Sequence, residues 1–353
     1  MNINVLSVGT GLFIIFLVSS IHAQENPYLK ELNKWFDSKQ TKNLDNLYPT
    51  GGATRGVGER VILRAWGLTH PLSEMESSVY YDYHKSRLAE EIDYLLTVAE
   101  NYNGRLTNQS SWNVDRFVLR HLIDALNLLD KAGLHQDSIS SWKQRLRLPL
   151  DFQYENYWYG PGQEQLPGLN SSAGYYPNSD AIYVLLMGAA GELYSETKYS
   201  ERAHQFVQRL NDQLFPDGAF PYVFTTCDIP VYHTIVISSL ARYCQITGDT
   251  LARDVIVNSK GYYPVTFGSQ FRGEETPYPW WKRQMGTAIG PSTMDIVATL
   301  ANCGENKYIA QRFEHKANAS YVAVDFWTDT IAPVTPKDTT VLYDHNVNGV
   351  RGR

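Results

Sequence analysis

Chemistry needs groups that move protons or carry charge, and this chain offers a small set of them. Tyr232 and His233 are neighbours at the first turn of a helix-like run. An imidazole titrates near neutral pH and a phenol can surrender a proton, so the pair could serve as base and acid. Tyr222, on the aromatic segment Phe220, Tyr222, Phe224, is a second hydroxyl for the acid role. Asn108 opens the run Asn108-Gln109-Ser110-Ser111-Trp112-Asn113, and Arg116 follows one turn into the next helical stretch. An amide beside a guanidinium can hydrogen-bond and neutralise a carboxylate. Each group also has a plainer role. A histidine near a helix start is often a satisfied, half-buried residue, and Ser111 or Asn113 suits a helix cap.

Carboxylates offer a competing chemistry. Asp217, Asp228, Glu274, Glu275 and Asp295 sit in loops or at helix starts, and two of them facing one glycosidic bond would make a hydrolase pair. Asp217 also suits a turn, and Asp295 a charge in the first turn of a helix. Trp112, Trp158, Trp280 and Trp281 provide flat faces on which sugar rings stack, and Gln270 and Arg272 share the loop of the last two. Trp280 and Trp281 could equally cover the edge of a core. No zinc, phosphate-loop, dinucleotide or serine-elbow motif is present.

The elements that must position these groups are mostly helical. Apolar periodicity predicts helices over 27–38, 59–68, 84–102, 112–132, 138–146, 179–195, 200–214, 232–247, 250–257, 292–301 and 308–315. Short turns alternate with long aromatic loops at 151–176 and 261–283. Pro216-Asp217-Gly218 reads as a turn leading to the Tyr232-His233 helix. The alternation fits paired antiparallel helices wound into an incomplete α/α toroid, mainly α, with its long loops gathered at one mouth. From Ser320 the pattern changes. Tyr321, Val322, Val324 and Phe326, then Thr339 to Tyr343, alternate as strands do. Residues 24–318 are therefore expected to form the helical domain. Residues 319–353 are expected to be a linker and the first strands of a truncated β-rich, sandwich-like domain.

Composition narrows the partners. A net charge of -6 over 353 residues gives no reason to expect nucleic acid or an anionic membrane. An acidic polymer would need a locally basic cleft. The 24 Tyr and 8 Trp exceed the usual needs of a core; they suit carbohydrate, or simply the polar–apolar boundary of a helical protein. Residues 1–23 read as a secretory signal, with the apolar run Leu12 to Val18 and Ala23 before the cleavage point, which predicts a secreted or periplasmic protein. No Lys or Arg precedes that run, so an uncleaved anchor is the alternative, and the sole route to membrane association. Of the three cysteines, Cys244 and Cys303 read as small buried hydrophobes.

The DGAFPY turn at Asp217 to Tyr222, the Tyr232-His233 pair, the Asn108 region and WWKRQMGTAIGP at Trp280 to Pro291 together resemble polysaccharide lyases of the chondroitin AC lyase and heparinase II/III type. The resemblance is architectural. It implies β-elimination on a uronate-containing polysaccharide, with Asn108 neutralising the carboxylate, His233 as base and Tyr232 or Tyr222 as acid. It further implies that Arg116 and Arg272 hold carboxylates or sulfates, with Trp112, Trp158, Gln270, Trp280 and Trp281 lining the substrate path. The chemistry requires no cofactor and no metal at the site, although a β-rich domain could hold a structural metal. A glycoside hydrolase on the same scaffold and a non-catalytic glycan-binding protein are the alternatives. Oligomeric state is not legible.

Overall fold

The computed structural model describes residues 25–39, 44, 51–108, 113–157, 176–220, 230–267, 290–312, 320–337, 341–343 and 349–351. It is mainly helical. Helix α1 (Pro27–Phe36) starts where the Asn26 side chain accepts hydrogen bonds from the N–H groups of Tyr28 and Leu29, with Pro27 at the first position. There follow α2 (Gly51–Thr69), a single 3-10 turn (Met75–Ser77), α3 (Tyr81–Asn101), α4 (Asn113–Lys131) and α5 (Gln136–Glu155). The next group is α6 (Pro177–Tyr194), α7 (Thr197–Asp212), α8 (Pro230–Thr247) and α9 (Thr250–Asn258), the last capped by Asp249. The helices end with α10 (Tyr262–Phe267), α11 (Ser292–Ala301), α12 (Gly304–Ala310) and α13 (Tyr321–Val324). Strand β1 (Val341–Tyr343) pairs antiparallel with β2 (Gly349–Arg351). Among the described residues no helix is long and apolar enough to cross a membrane.

One layer is built by α2 packing on α4, α4 on α6, α6 on α8 and α8 on α11. The helices between them cover this layer, α3 over α2, α5 over α4, α7 over α6, α9 over α8 and α12 over α11. Directions follow from the bonds. Arg116 donates to Ser179 Oγ, and Asn127, further along α4, donates to the Ala189 carbonyl further along α6, so these helices run parallel. Arg120 with Ser239 and Arg242 with Asp124 show the same for α4 and α8. Between layers the direction reverses. Tyr194, at the end of α6, donates to the Lys143 carbonyl early in α5, while Tyr157 just beyond α5 bonds Asp180 at the start of α6.

The core lies between these layers. Helix α6 is apolar on nearly every face and is buried from Pro177 to Gly191, as its encirclement by α4, α7 and α8 requires. The approach to α8 is so close that a Cβ on Gly188 would lie 2.3 Å from the Tyr243 ring. The succession of contacts returns to its start through α13, which touches α8, α11 and α1, while α1 touches α2. Three bonds fasten this junction: Asn26 Nδ2 to the Val324 carbonyl at 2.9 Å, Tyr28 OH to Asp295 Oδ2 at 2.6 Å, and His70 Nε2 with Asp325 Oδ1 at 2.9 Å.

Several elements differ from their sequence patterns. The alternation at Tyr321, Val322 and Val324 predicts a strand, yet these residues form α13, capped by Ser320 Oγ. All four residues of α13 are buried, so the two-residue period reflects burial on every side and not a sheet. Helix α5 runs on to Glu155 through Pro149, because buried Leu150 and Gln153 hold its last turns in place. Helix α2 begins at Gly51, inside what reads as a linker, and α10 lies inside what reads as a loop.

Candidate functional site

A cavity of about 670 Å³ opens among the N-terminal parts of the parallel helices. On α8 it is lined by Val231, Thr234, Ile235, Ser238, Ser239 and Arg242. That spacing is one helical stripe. Arg55, Glu59, Ile62 and Leu63 face it from α2, and Phe117, Arg120 and His121 from α4. Trp35 of α1, Leu185 of α6, Ser292 and Thr293 of α11, and Tyr321 and Val322 of α13 complete the wall. Trp35 and Phe117 are half-buried, so each offers part of a ring face.

Positive charge dominates this space. The guanidinium groups of Arg55 and Arg120 both lie on the Phe117 ring, at 4.2 and 5.6 Å from its centroid. Arg120 donates to Ser239 Oγ at 3.1 Å. The Nε atoms of both arginines are buried and have no partner among the described residues. Burial lowers both pKa values, yet a guanidinium remains charged throughout the ordinary pH range. His121 is 9% exposed, and its Nδ1 is likewise without a partner among the described residues. Burial, reinforced by the charge of Arg120, holds its pKa well below that of an ordinary imidazole, so the ring is neutral at pH 7.

The third arginine is already satisfied. Asp124 accepts two hydrogen bonds from Arg242, at 2.8 and 2.7 Å, and a third from Tyr321 OH at 3.0 Å. Burial alone would lower the Arg242 pKa, but the Asp124 charge and its hydrogen bonds raise it above the usual value. Burial and the same carboxylate raise the Tyr321 phenol. Among the described lining residues, Arg55 and Arg120 thus face one exposed carboxylate, Glu59, which leaves one positive charge over. Val231, Ser292 and Thr293 lie in the first turns of α8 and α11, whose positive dipole ends add to the same potential. The arrangement suits an anion held by two forked donors beside a neutral base.

Of the residues singled out by sequence, the described ones, Asn108, Arg116, Asp217, Tyr232, His233 and Asp295, do not line this cavity. His233 sits roughly half a turn from the lining stripe, at about 100° per residue. It is buried and stacked on Tyr262, with 3.7 Å between ring centroids. Its Nε2–H donates to the Gly218 carbonyl at 3.0 Å, and Nδ1 lies 3.1 Å from the Tyr263 hydroxyl, which accepts or donates across 3.0 Å to Thr293 Oγ1. Through Tyr263 and Thr293 His233 is linked to the cavity wall. Tyr232 is half-buried beside the stripe. Asn108 is exposed in a bend. Arg116 is fully buried and donates to Gln153, Ser179 and the Tyr157 carbonyl, clamping α4, α5 and α6 together. Tyr222, Trp112, Trp158, Gln270, Arg272, Trp280 and Trp281 lie outside the described residues, as do Asp228, Glu274 and Glu275.

The described carboxylates have structural partners. Asp217 Oδ1 accepts from the Ala219 N–H in the turn where Gly218 has φ +88°. Asp295 accepts from Tyr28 OH and Lys307 Nζ. Sequence reasoning missed Arg55, Arg120 and His121. The signal for the two on α4 was a residue pattern: Arg120, His121 and Asp124 follow Phe117 on one stripe of the helix; nothing comparable marks Arg55. No family model matches the chain, and neither does any curated protein.

Proposed function

We propose that this protein is a polysaccharide lyase that cleaves a uronate-containing polysaccharide by β-elimination, on an α/α toroid whose inner layer is α2, α4, α6, α8 and α11. The observation that carries this reading is the pairing of two half-satisfied guanidinium groups with a neutral imidazole in one cavity. Arg55 and Arg120 receive the uronate carboxylate. Neutralising it makes the C5 proton more acidic, because the charge that develops on proton loss spreads onto that carboxylate. His121 takes the C5 proton. The electron pair forms the C4–C5 double bond, the C4–O bond breaks, and the imidazolium just formed gives the proton to the departing oxygen. The step needs neither water nor a cofactor. Trp35 and Phe117 supply faces for sugar rings.

The roles assigned by resemblance are redistributed in this reading. His121 replaces His233 as base, and Arg55 with Arg120 replaces Asn108 as neutraliser. The relay from His233 through Tyr263 gives His233 a positioning role for the Thr293 hydroxyl.

The test is incubation of the protein with alginate, hyaluronan, chondroitin, heparan and gellan-type substrates, following ultraviolet absorbance of unsaturated uronate and counting reducing ends in parallel. The two signals should rise together. Reducing ends without absorbance would replace the proposal with a hydrolase that uses Glu59. Binding without either signal would leave a glycan-binding protein.

A further inference from the structure

Resting on the reading of this cavity as a uronate site, we infer that it selects unsulfated chains, with Glu59 as a specificity-determining residue. The inference comes from which lining groups have protons to give. Arg55 and Arg120 only donate, and the Nε of each has no partner among the described residues. Glu59 stands one turn after Arg55 on α2, lines the same cavity and is exposed. It makes no hydrogen bond or ion pair with a described residue. Its charge acts on both guanidinium groups, opposing the effect of burial on each. A carboxylate of this kind only accepts.

The α8 wall has the same character. Thr234 and Ser238, one turn apart on the lining stripe, give their hydroxyl protons to the Val231 and Ile235 carbonyls at 2.7 and 3.2 Å. A hydroxyl has one proton, so these two present lone pairs to a ligand. Ser239 Oγ already accepts from Arg120. The lining thus pairs two donors for an anion with three acceptors: Glu59, Thr234 and Ser238.

An unsulfated uronate complements that division. Its carboxylate meets the arginines, and its hydroxyls have protons for the acceptors. A sulfate ester replaces such a proton with a second anion. The hydrogen bond is lost, and like charges meet at Glu59. Residues four apart on a helix have Cβ atoms about 5–6 Å apart, the scale of one sugar ring. Arg55 and Glu59 therefore read an anion and a hydroxyl on the same or adjacent units. Because Glu59 is exposed, its repulsion is partly screened, and its share of the discrimination is about fivefold.

The deciding experiment measures binding and needs no turnover. Oligosaccharides of alginate, hyaluronan and the unsulfated heparan backbone are each prepared unmodified and chemically O-sulfated. Calorimetry at one fixed salt concentration gives Kd for the protein and for Glu59→Gln. For at least one unmodified preparation that binds, sulfation should weaken binding by about 10- to 100-fold. Glu59→Gln should shrink that penalty at least about fivefold, and Arg55→Met should weaken binding of the unmodified form. Equal or tighter binding of the sulfated forms would overturn the inference, as would a penalty unchanged in Glu59→Gln. Absence of binding to every preparation would overturn it too. A Glu59-dependent penalty without unsaturated product would sink the lyase reading and leave this selectivity standing. Unsaturated product formed equally from both forms would do the reverse.

Discussion

At the scale of single residues, the account turns on which groups are left unsatisfied. His233 has both ring nitrogens engaged, whereas His121 Nδ1, Arg55 Nε and Arg120 Nε have no partners among the described residues. A hydrogen bond to a charged group contributes about 1.5–3 kcal/mol, so Arg55→Met or Arg120→Met should lower kcat/KM by roughly 10- to 100-fold with little loss of stability. Initial rates and a denaturant titration check both halves of that statement. A base acts only when unprotonated, and His121 titrates below the ordinary imidazole value of 6.5. The acid limb of the kcat/KM profile should therefore fall below about pH 6.5; a limb centred above 7 would point to a different base. Stability follows the same sign. His84 and His121 both have lowered folded pKa values. Below the unfolded value the unfolded chain takes up protons that the folded chain refuses, so stability is full above about pH 6.5 and declines as pH falls beneath it.

At the scale of elements, close packing fixes where the site residues stand. Gly188→Ala would drive a methyl group into the Tyr243 ring and separate α6 from α8; overpacking of this kind costs about 1–3 kcal/mol, read as a lower denaturant midpoint. His233→Phe should keep the stack on Tyr262 but leave the Gly218 carbonyl without its donor, costing about 1–3 kcal/mol. Long periodic helices such as 84–102 and 232–247 were legible in the sequence because a one-sided apolar stripe is a local signal. The turn at Pro216-Asp217-Gly218 was legible for the same reason, Gly218 adopting the positive φ that the pattern implied. Helix α13 was not, since four residues that are all buried give an apolar pattern that does not report the helical period. Nor was the site. The face of α8 that borders the cavity is chosen by the packing of α6, α9 and α11 around it, and no spacing within the chain announces that choice.

At the scale of the whole molecule, a chain of net charge -6 brings Arg55 and Arg120 together in the cavity lined by the closed succession of helices. Under the proposed function, this is the locally basic site that an acidic polymer requires. Binding should weaken with salt, though less than at an open surface, because the charges are partly withdrawn from solvent. The knot of Asp124, Arg242 and Tyr321 ties α4, α8 and α13 together. Asp124→Asn would leave a buried guanidinium without its counter-charge and should cost about 3–5 kcal/mol. The most direct test compares two histidines that sequence alone cannot rank. Kinetics of unsaturated-uronate release should show His121→Gln losing at least about 100-fold in kcat while circular dichroism remains native. His233→Phe should keep most of its kcat and lose stability instead. Full activity in His121→Gln, with activity lost in Tyr232→Phe and in folded His233→Phe, would contradict the account.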